Sequence, residues 1–389
     1  MPFLPFSANL RRFATALSVL ALSACTACKE PVDTAVTAGP AAPAAAPANW
    51  AARADSAQTA LRGFGAASGY LPQNNAGDPR FNYWWQAHLY DALLDGYGRT
   101  RNADFLARLG QAYADARVRN GNSYLNEFYD DMEWHALACL RAFELTQNPA
   151  YKATAALLWA DIKGGWNPAL GGISWKKSQR DYRNTPANAP AAILAARLYQ
   201  LDRNPDDLQW AQRIYQWQKD NLVDPATGTV WDGVNRLGDG QVDRNWKFSY
   251  CQGVYVGAGL ALYRATGQAS YLQDATRTAS TTVNDSQLAP GGILKDEGGG
   301  DGGLFKGILV RYLALLVRES ATPPAARTSY ANFLKNNGQA LWQRGTRRPQ
   351  VLFGTAWTSP PAGPVDGSTQ LSGVLLLEAL ADLQAAGQL

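Results

Sequence analysis

The chain has 389 residues, 46% of them hydrophobic and 17% charged, which excludes a disordered chain and allows one large core or two ordinary ones. A formal net charge of +4 is small for this length, and no dense Lys/Arg run with interleaved aromatics is present, which excludes nucleic acid as a partner. The 13 Trp and 17 Tyr exceed what a core needs; their flat apolar faces and polar tips suit sugar rings.

In chain order, residues 1–24 read as an export signal. Arg11 and Arg12 make a basic start, and Phe13 to Leu22 form an apolar stretch too short to span a bilayer. Leu22-Ser23-Ala24-Cys25 resembles the lipobox of bacterial lipoprotein precursors, so Cys25 is expected to be acylated and to become the new N-terminus. Residues 25–49, rich in Ala and Pro without periodicity, are expected to form an extended tether. The expected product is a monomeric bacterial lipoprotein at the outer membrane, in the periplasm or on the cell surface, touching the membrane only through its N-terminal lipid. Residues 50–389 then form the folded domain.

Within that domain, apolar residues recur at three- and four-residue spacing in about a dozen segments. They lie near 50–64, 79–100, 102–119, 129–147, 149–163, 185–201, 204–220, 245–267, 268–285, 301–319, 325–344 and 366–387, separated by clusters of Gly, Pro and Asn. One member of each neighbouring pair carries charges at helical intervals, whereas the other is richer in Gly, Ala and aromatics, as in 249–257. A helix apolar all round is buried and an amphipathic one covers it. Six of each in alternation predict an all-α (α/α)6 barrel, with repeats of about 45 to 65 residues. An open helical solenoid competes with it. The long Gly- and Trp-rich loops 164–175, 227–240 and 289–303 favour the barrel, because they suit the lining of a cavity.

The sharpest chemical feature is Tyr129-Asp130-Asp131-Met132-Glu133-Trp134-His135 at the start of a helix. Taken alone, Asp130 with Glu133 three residues on is a capping box. Retaining glycosidases, however, need two carboxyl groups about 5 Å apart, and neighbouring residues with Cα atoms about 3.8 Å apart can reach that separation when their side chains diverge. The helix N-terminus favours ionisation of one carboxyl, and mutual repulsion raises the pKa of the other. His88 and His135, both on buried segments, keep open a sugar epimerase or an unsaturated-uronide hydrolase, and a non-catalytic glycan-binding lipoprotein is a further alternative. Cys139 and Cys251 fall in apolar segments, as free thiols or as a pair. No metal-ligand spacing or phosphate-cradling loop is present, and no cofactor is expected.

An ordered set of motifs resembles glycoside hydrolase family 76, the endo-α-1,6-mannanases and their transglycosylase relatives. It runs through 83–89 (YWWQAHL), Asp130-Asp131 with Trp134, Trp166-Asn167, 171–175 (GGISW), 184–188 (NTPAN), 248–253 (FSYCQG), and Asp301 followed by 305–308 (FKGI). By that resemblance Asp130 is the nucleophile and Asp131 the general acid/base of a retaining mechanism on α-mannan polysaccharide or oligosaccharide. Trp84, His88, Trp134, Trp175, Asn188, Asp232, Tyr250, Gln252, Asp301 and Lys306 are expected to bind the substrate, and Trp231 and Trp246 are further stacking candidates.

Overall fold

The computed structural model describes residues 48–64 and 69–389, so the expected export signal, Cys25 and all but the end of the tether lie outside the described residues. Among the described residues twelve helices form: α1 (Trp50–Phe64), α2 (Tyr83–Thr100), α3 (Asp104–Arg119), α4 (Tyr129–Thr146), α5 (Pro149–Lys163) and α6 (Thr185–Asp202), then α7 (Pro205–Leu222), α8 (Ser249–Thr266), α9 (Ala269–Asn284), α10 (Gly302–Arg318), α11 (Pro324–Gln343) and α12 (Gly367–Ala385). Two of them start later than expected. The chain enters α2 and α8 through Asn82 and Phe248, both with extended backbone, so residues 79–82 and 245–248 are not helical.

Short turns follow the even-numbered helices. Arg101, Gln147, Arg203 and Gly267 end α2, α4, α6 and α8 in the left-handed conformation, each returning its N–H to the carbonyl four residues back, at Tyr97, Phe143, Tyr199 and Tyr263. After two of these turns, Asn148 and Asn204 cap the next helix with their side chains, and Pro149 and Pro205 occupy its first position. The chain therefore reverses within two to five residues. By contrast, the connections back to the even-numbered helices are long, and they carry the short strands β1 (Ser174–Lys176), β2 (Gln179–Asn184), β3 (Gly233–Val234), β4 (Thr346–Arg347) and β5 (Leu352–Phe353). β1, β2 and β3 form an antiparallel sheet in that order, with Ser174 opposite Arg183 and Asn184 opposite Gly233.

Helices α2, α4, α6, α8, α10 and α12 pack each on the next, and α12 packs on α2, so the inner ring closes. That closure excludes an open solenoid. The odd-numbered helices cover the ring, and α1 lies on α12. Inner helices such as α6 and α12 are buried on nearly every face, whereas α3 buries only Leu109, Ala112 and Ala116. Close approach of α8 to α10 requires glycine: a Cβ on Gly253 would stand 2.6 Å from Leu309 Cα.

One consequence of short and long connections alternating is functional. All six inner helices start at the end of the barrel that carries the long loops, so their N-terminal side chains and those loops share one mouth. Toward the opposite end Arg141 and Arg311, from α4 and α10, bracket Asp91 and Asp95 of α2 and with them line a cavity. Burial pushes the Asp91 carboxyl up, but the guanidinium groups of Arg311 and Arg141 more than offset this and hold it at about 2.

Candidate active site

Asp130 and Asp131 open α4 at the barrel mouth. Phe128 is the N-cap and makes no side-chain capping bond, so the expected capping box does not form: Asp130 is already inside the helix, and Glu133 is fully buried. Asp130 is 9% exposed. Its Oδ1 accepts the Asp131 backbone N–H at 3.0 Å, and its Oδ2 accepts the Trp175 indole N–H at 3.1 Å. Asp131 is partly exposed, and its carboxyl accepts no hydrogen bond from any described residue.

The two neighbours therefore differ electrostatically. Burial pushes the Asp130 carboxyl up to about 7; the Asp131 amide and the Trp175 indole pull it down, while the charges of Asp232 and Asp301 push it up. For Asp131, burial and then the charges of Asp130 and Asp301 all push upward, well above the usual carboxylate range, and no donor opposes them. Asp130 is accordingly the easier to ionise, and Asp131 holds its proton. What separates them is this pair of donors to Asp130, one of them a free amide of the helix end and the other an indole from β1.

Two more carboxylates face the same mouth. Asp301, just before α10, accepts both the Trp84 and Trp85 indoles on Oδ1, at 2.9 and 3.1 Å. Asp232, just before β3, is buried; its Oδ2 accepts the Tyr182 hydroxyl at 2.8 Å, and its Oδ1 accepts the Tyr250 hydroxyl at 2.9 Å and the Cys251 thiol at 3.5 Å. Burial raises Asp232 above its usual range, and these three donors limit the rise. Tyr250 is itself held by stacking on Phe305, with ring centroids 3.9 Å apart. Trp84 lies against Trp134 and His88, and Phe128 and Tyr182 pack at the edges of Trp175. The arrangement is an aromatic cleft around four acidic groups, with one carboxyl prepared to carry charge beside one that keeps its proton. Among the described residues no group of three or more His, Cys, Asp or Glu is placed to hold a metal ion.

The sequence profile described as Glycosyl hydrolase family 76 matches residues 50–386. The chain belongs to that family. Among its structural relatives is the α-1,6-mannanase GH76A of a Salegentibacter species, 44% identical, with a TM-score of 0.84 over 86% of this chain and 100% of that one. Inactive variants of that protein, with two adjacent aspartates replaced, have been solved with α-1,6-mannotriose and α-1,6-mannotetrose. The Lin0763 protein of Listeria innocua is 39% identical, with a TM-score of 0.81 over 87% of this chain and 98% of that one. A mannan endo-1,6-α-mannosidase of Candida glabrata is 28% identical over 212 residues, which are 48% of this chain and 46% of that protein. The chain spans about half the length of the curated relatives it matches.

Several residues of this family 76 chain that were expected at the substrate serve the fold instead. Asn188, fully buried, holds Ile173 at both ends: its Oδ1 accepts the Ile173 N–H, and its Nδ2 donates to the Ile173 and Asn184 carbonyls. Gln252 does the same to Val230, and its Nε2 also donates to Phe248 O. Gln86 on α2 clamps both backbone groups of Leu71, and Gln370 on α12 takes the Phe353 N–H and donates to Val351 O. The fourth residue of four inner helices is thus an amide that stitches its preceding loop to the barrel. On both residues the amide N–H groups are fully used and the side chain is buried, so neither Asn188 nor Gln252 is open to sugar.

Lys306, 1% exposed, donates to the carbonyls of Lys295 and Thr355 and lies over Trp357, so it ties two loops together and makes no ion pair with Asp301. His88 sits one turn further into the barrel than Trp84, buried against Trp134; burial lowers it to about 3, and it is neutral. His135 bonds the Tyr83 carbonyl, and burial lowers it to about 4. Neither imidazole reaches the mouth, which removes the basis for histidine-driven epimerisation. Cys139 and Cys251 are both buried and free. Trp231 and Trp246 carry arginine guanidiniums over their rings, and the Trp246 carbonyl accepts the Asp232 N–H, so the 40%-exposed Trp246 stands beside Asp232. Trp85 and Tyr182 escaped sequence reasoning, because an isolated aromatic gives no sign of which carboxylate it will face.

Proposed function

We propose that the protein hydrolyses α-1,6-mannosidic linkages within mannan chains by double displacement. Asp130, as carboxylate, attacks the anomeric carbon while Asp131 gives its proton to the departing glycosidic oxygen. The mannosyl ester on Asp130 is then attacked by water; Asp131, now a carboxylate, takes the water's proton, and Asp130 leaves. The observation that carries this reading is the asymmetry of the pair: among the described residues two donors reach Asp130 and none reaches Asp131. The adjacent aspartates replaced in the inactive Salegentibacter variants support it further.

Trp84, Trp134, Trp175 and Tyr250 offer faces or edges to mannose rings. Asp232 and Asp301, each with acceptor capacity left beyond the donors described, are the groups for sugar hydroxyls. Acylation at Cys25 would tether the enzyme to a bacterial membrane, with residues 26–49 as the leash. The direct test is incubation with linear α-1,6-mannan while product length and anomeric configuration are followed. Internal cleavage with retention at the anomeric carbon is the expected result; inverted products or no products at all would discard the mechanism. Loss of fatty-acid labelling in Cys25→Ser tests the anchor.

A further inference from the structure

Glu133 has no place in the mechanism above, yet it is fully buried beside the reacting pair. Neither of its carboxyl oxygens has a well-formed hydrogen bond to a described group, and the one donor near it is the Ala191 backbone N–H of α6. A buried carboxylate without a donor costs several kcal/mol more than its neutral form. Burial and then the charge of Asp130 drive Glu133 well above the usual carboxylate range, more than offsetting the Ala191 N–H that pulls it down, so it carries a proton. A buried O–H with no acceptor is itself unfavourable, and such a group calls for a reason.

The helix supplies one. Glu133 lies three residues after Asp130 on α4, so the two side chains are neighbours on one face, about 5–6 Å apart at Cβ. Helical side chains lean toward the N-terminus, which aims the longer Glu133 back at Asp130. We infer that Glu133 is a neutral positioning acid, whose O–H turns to the Asp130 carboxylate when that group is charged and holds it in place for attack. This rests on the catalytic reading of Asp130. It gives the nucleophile a third donor, from inside the barrel, beside the Asp131 amide and the Trp175 indole. The other ionisable groups acting on Asp130 are Asp131 on its own helix and Asp232 and Asp301 from the loops; the N-terminal half of α6 presents none.

The test is the pH profile of kcat/KM on α-1,6-mannan for Glu133→Gln and Glu133→Met, with thermal melting as a check on folding. Glutamine keeps a neutral donor, so its acid limb should match that of the wild type. Methionine fills the space without a donor; kcat below the limb should fall roughly tenfold and the limb should rise by about one pH unit, with KM little changed. A downward shift of the limb in Glu133→Gln would mean that Glu133 is ionised, and would overturn the inference. So would an unshifted limb in a folded Glu133→Met. Failure of the wild type to cleave mannan would instead overturn the catalytic reading itself.

Discussion

From β1, Trp175 donates its indole N–H to Asp130 Oδ2 at 3.1 Å, a side-chain bond that Asp131 has no counterpart for. The indole is held in that pose by Phe128 and Tyr182 at its edges, and the Lys176 ammonium lies 4.9 Å from its ring centroid. A residue in the connection after α5 thereby favours the charged form of a residue at the start of α4.

Replacing Trp175 with Phe keeps most of the ring and removes the donor. A hydrogen bond to a charged group contributes about 1.5–3 kcal/mol, so kcat should fall roughly ten- to a hundredfold while the acid limb of the pH profile moves up. A Trp175→Phe enzyme with wild-type kcat would remove this bond from the mechanism.

The pair itself sets the pH optimum. In the proposed mechanism, activity requires Asp130 ionised and Asp131 protonated. With Asp130 pushed up to about 7, kcat/KM should rise as pH climbs toward neutrality, then fall in alkali as Asp131 loses its proton. Measurement of kcat/KM from pH 4 upward tests this. An acid limb near 4 would show that burial has no hold on Asp130.

Stability should respond in the opposite sense. The unfolded chain ionises Asp130 near the ordinary carboxylate value of 3.8, whereas the folded chain holds the proton up to about 7, so folding loses stability as pH rises between those values. Asp130→Asn removes that cost. The variant should be more stable than the wild type at neutral pH by about 2–4 kcal/mol, with the advantage fading toward pH 4. Denaturant unfolding at the two pH values gives the comparison; equal stability at both would contradict it.

The amide stitches predict a different phenotype. Asn188→Leu strands the Ile173 N–H and carbonyl in the core, and Gln252→Leu does the same to Val230. Each should cost about 2–4 kcal/mol in denaturant unfolding, while the folded fraction keeps its turnover number. Activity lost at full stability would return these residues to the substrate.

The last relationship concerns Asp232. Tyr182→Phe removes one of its three donors, so Asp232 should take up a proton more readily and bind sugar hydroxyls more weakly at low pH. A severalfold rise in KM that grows as pH falls, with kcat nearly unchanged, is the expected signature. A pH-independent KM would mean that the Tyr182 bond leaves Asp232 unaffected.

The amino-acid sequence alone determined the twelve helices, their alternation between buried and covering types, and the position of Asp130-Asp131 at a helix start. These features are local: periodicity, turn residues and adjacency are written in neighbouring positions, and a run such as 249–257, apolar on every face, has no stable place except inside a ring. Only the tertiary structure decided which polar residues the fold itself takes up. Asn188, Gln252 and Lys306 are the right types for sugar, but their partners come from loops 15, 22 and up to 49 residues away. The electrostatic difference between the two aspartates arises in the same way, because the Trp175 donor that separates them comes from 45 residues along the chain, and a pKa depends on what surrounds a group in space.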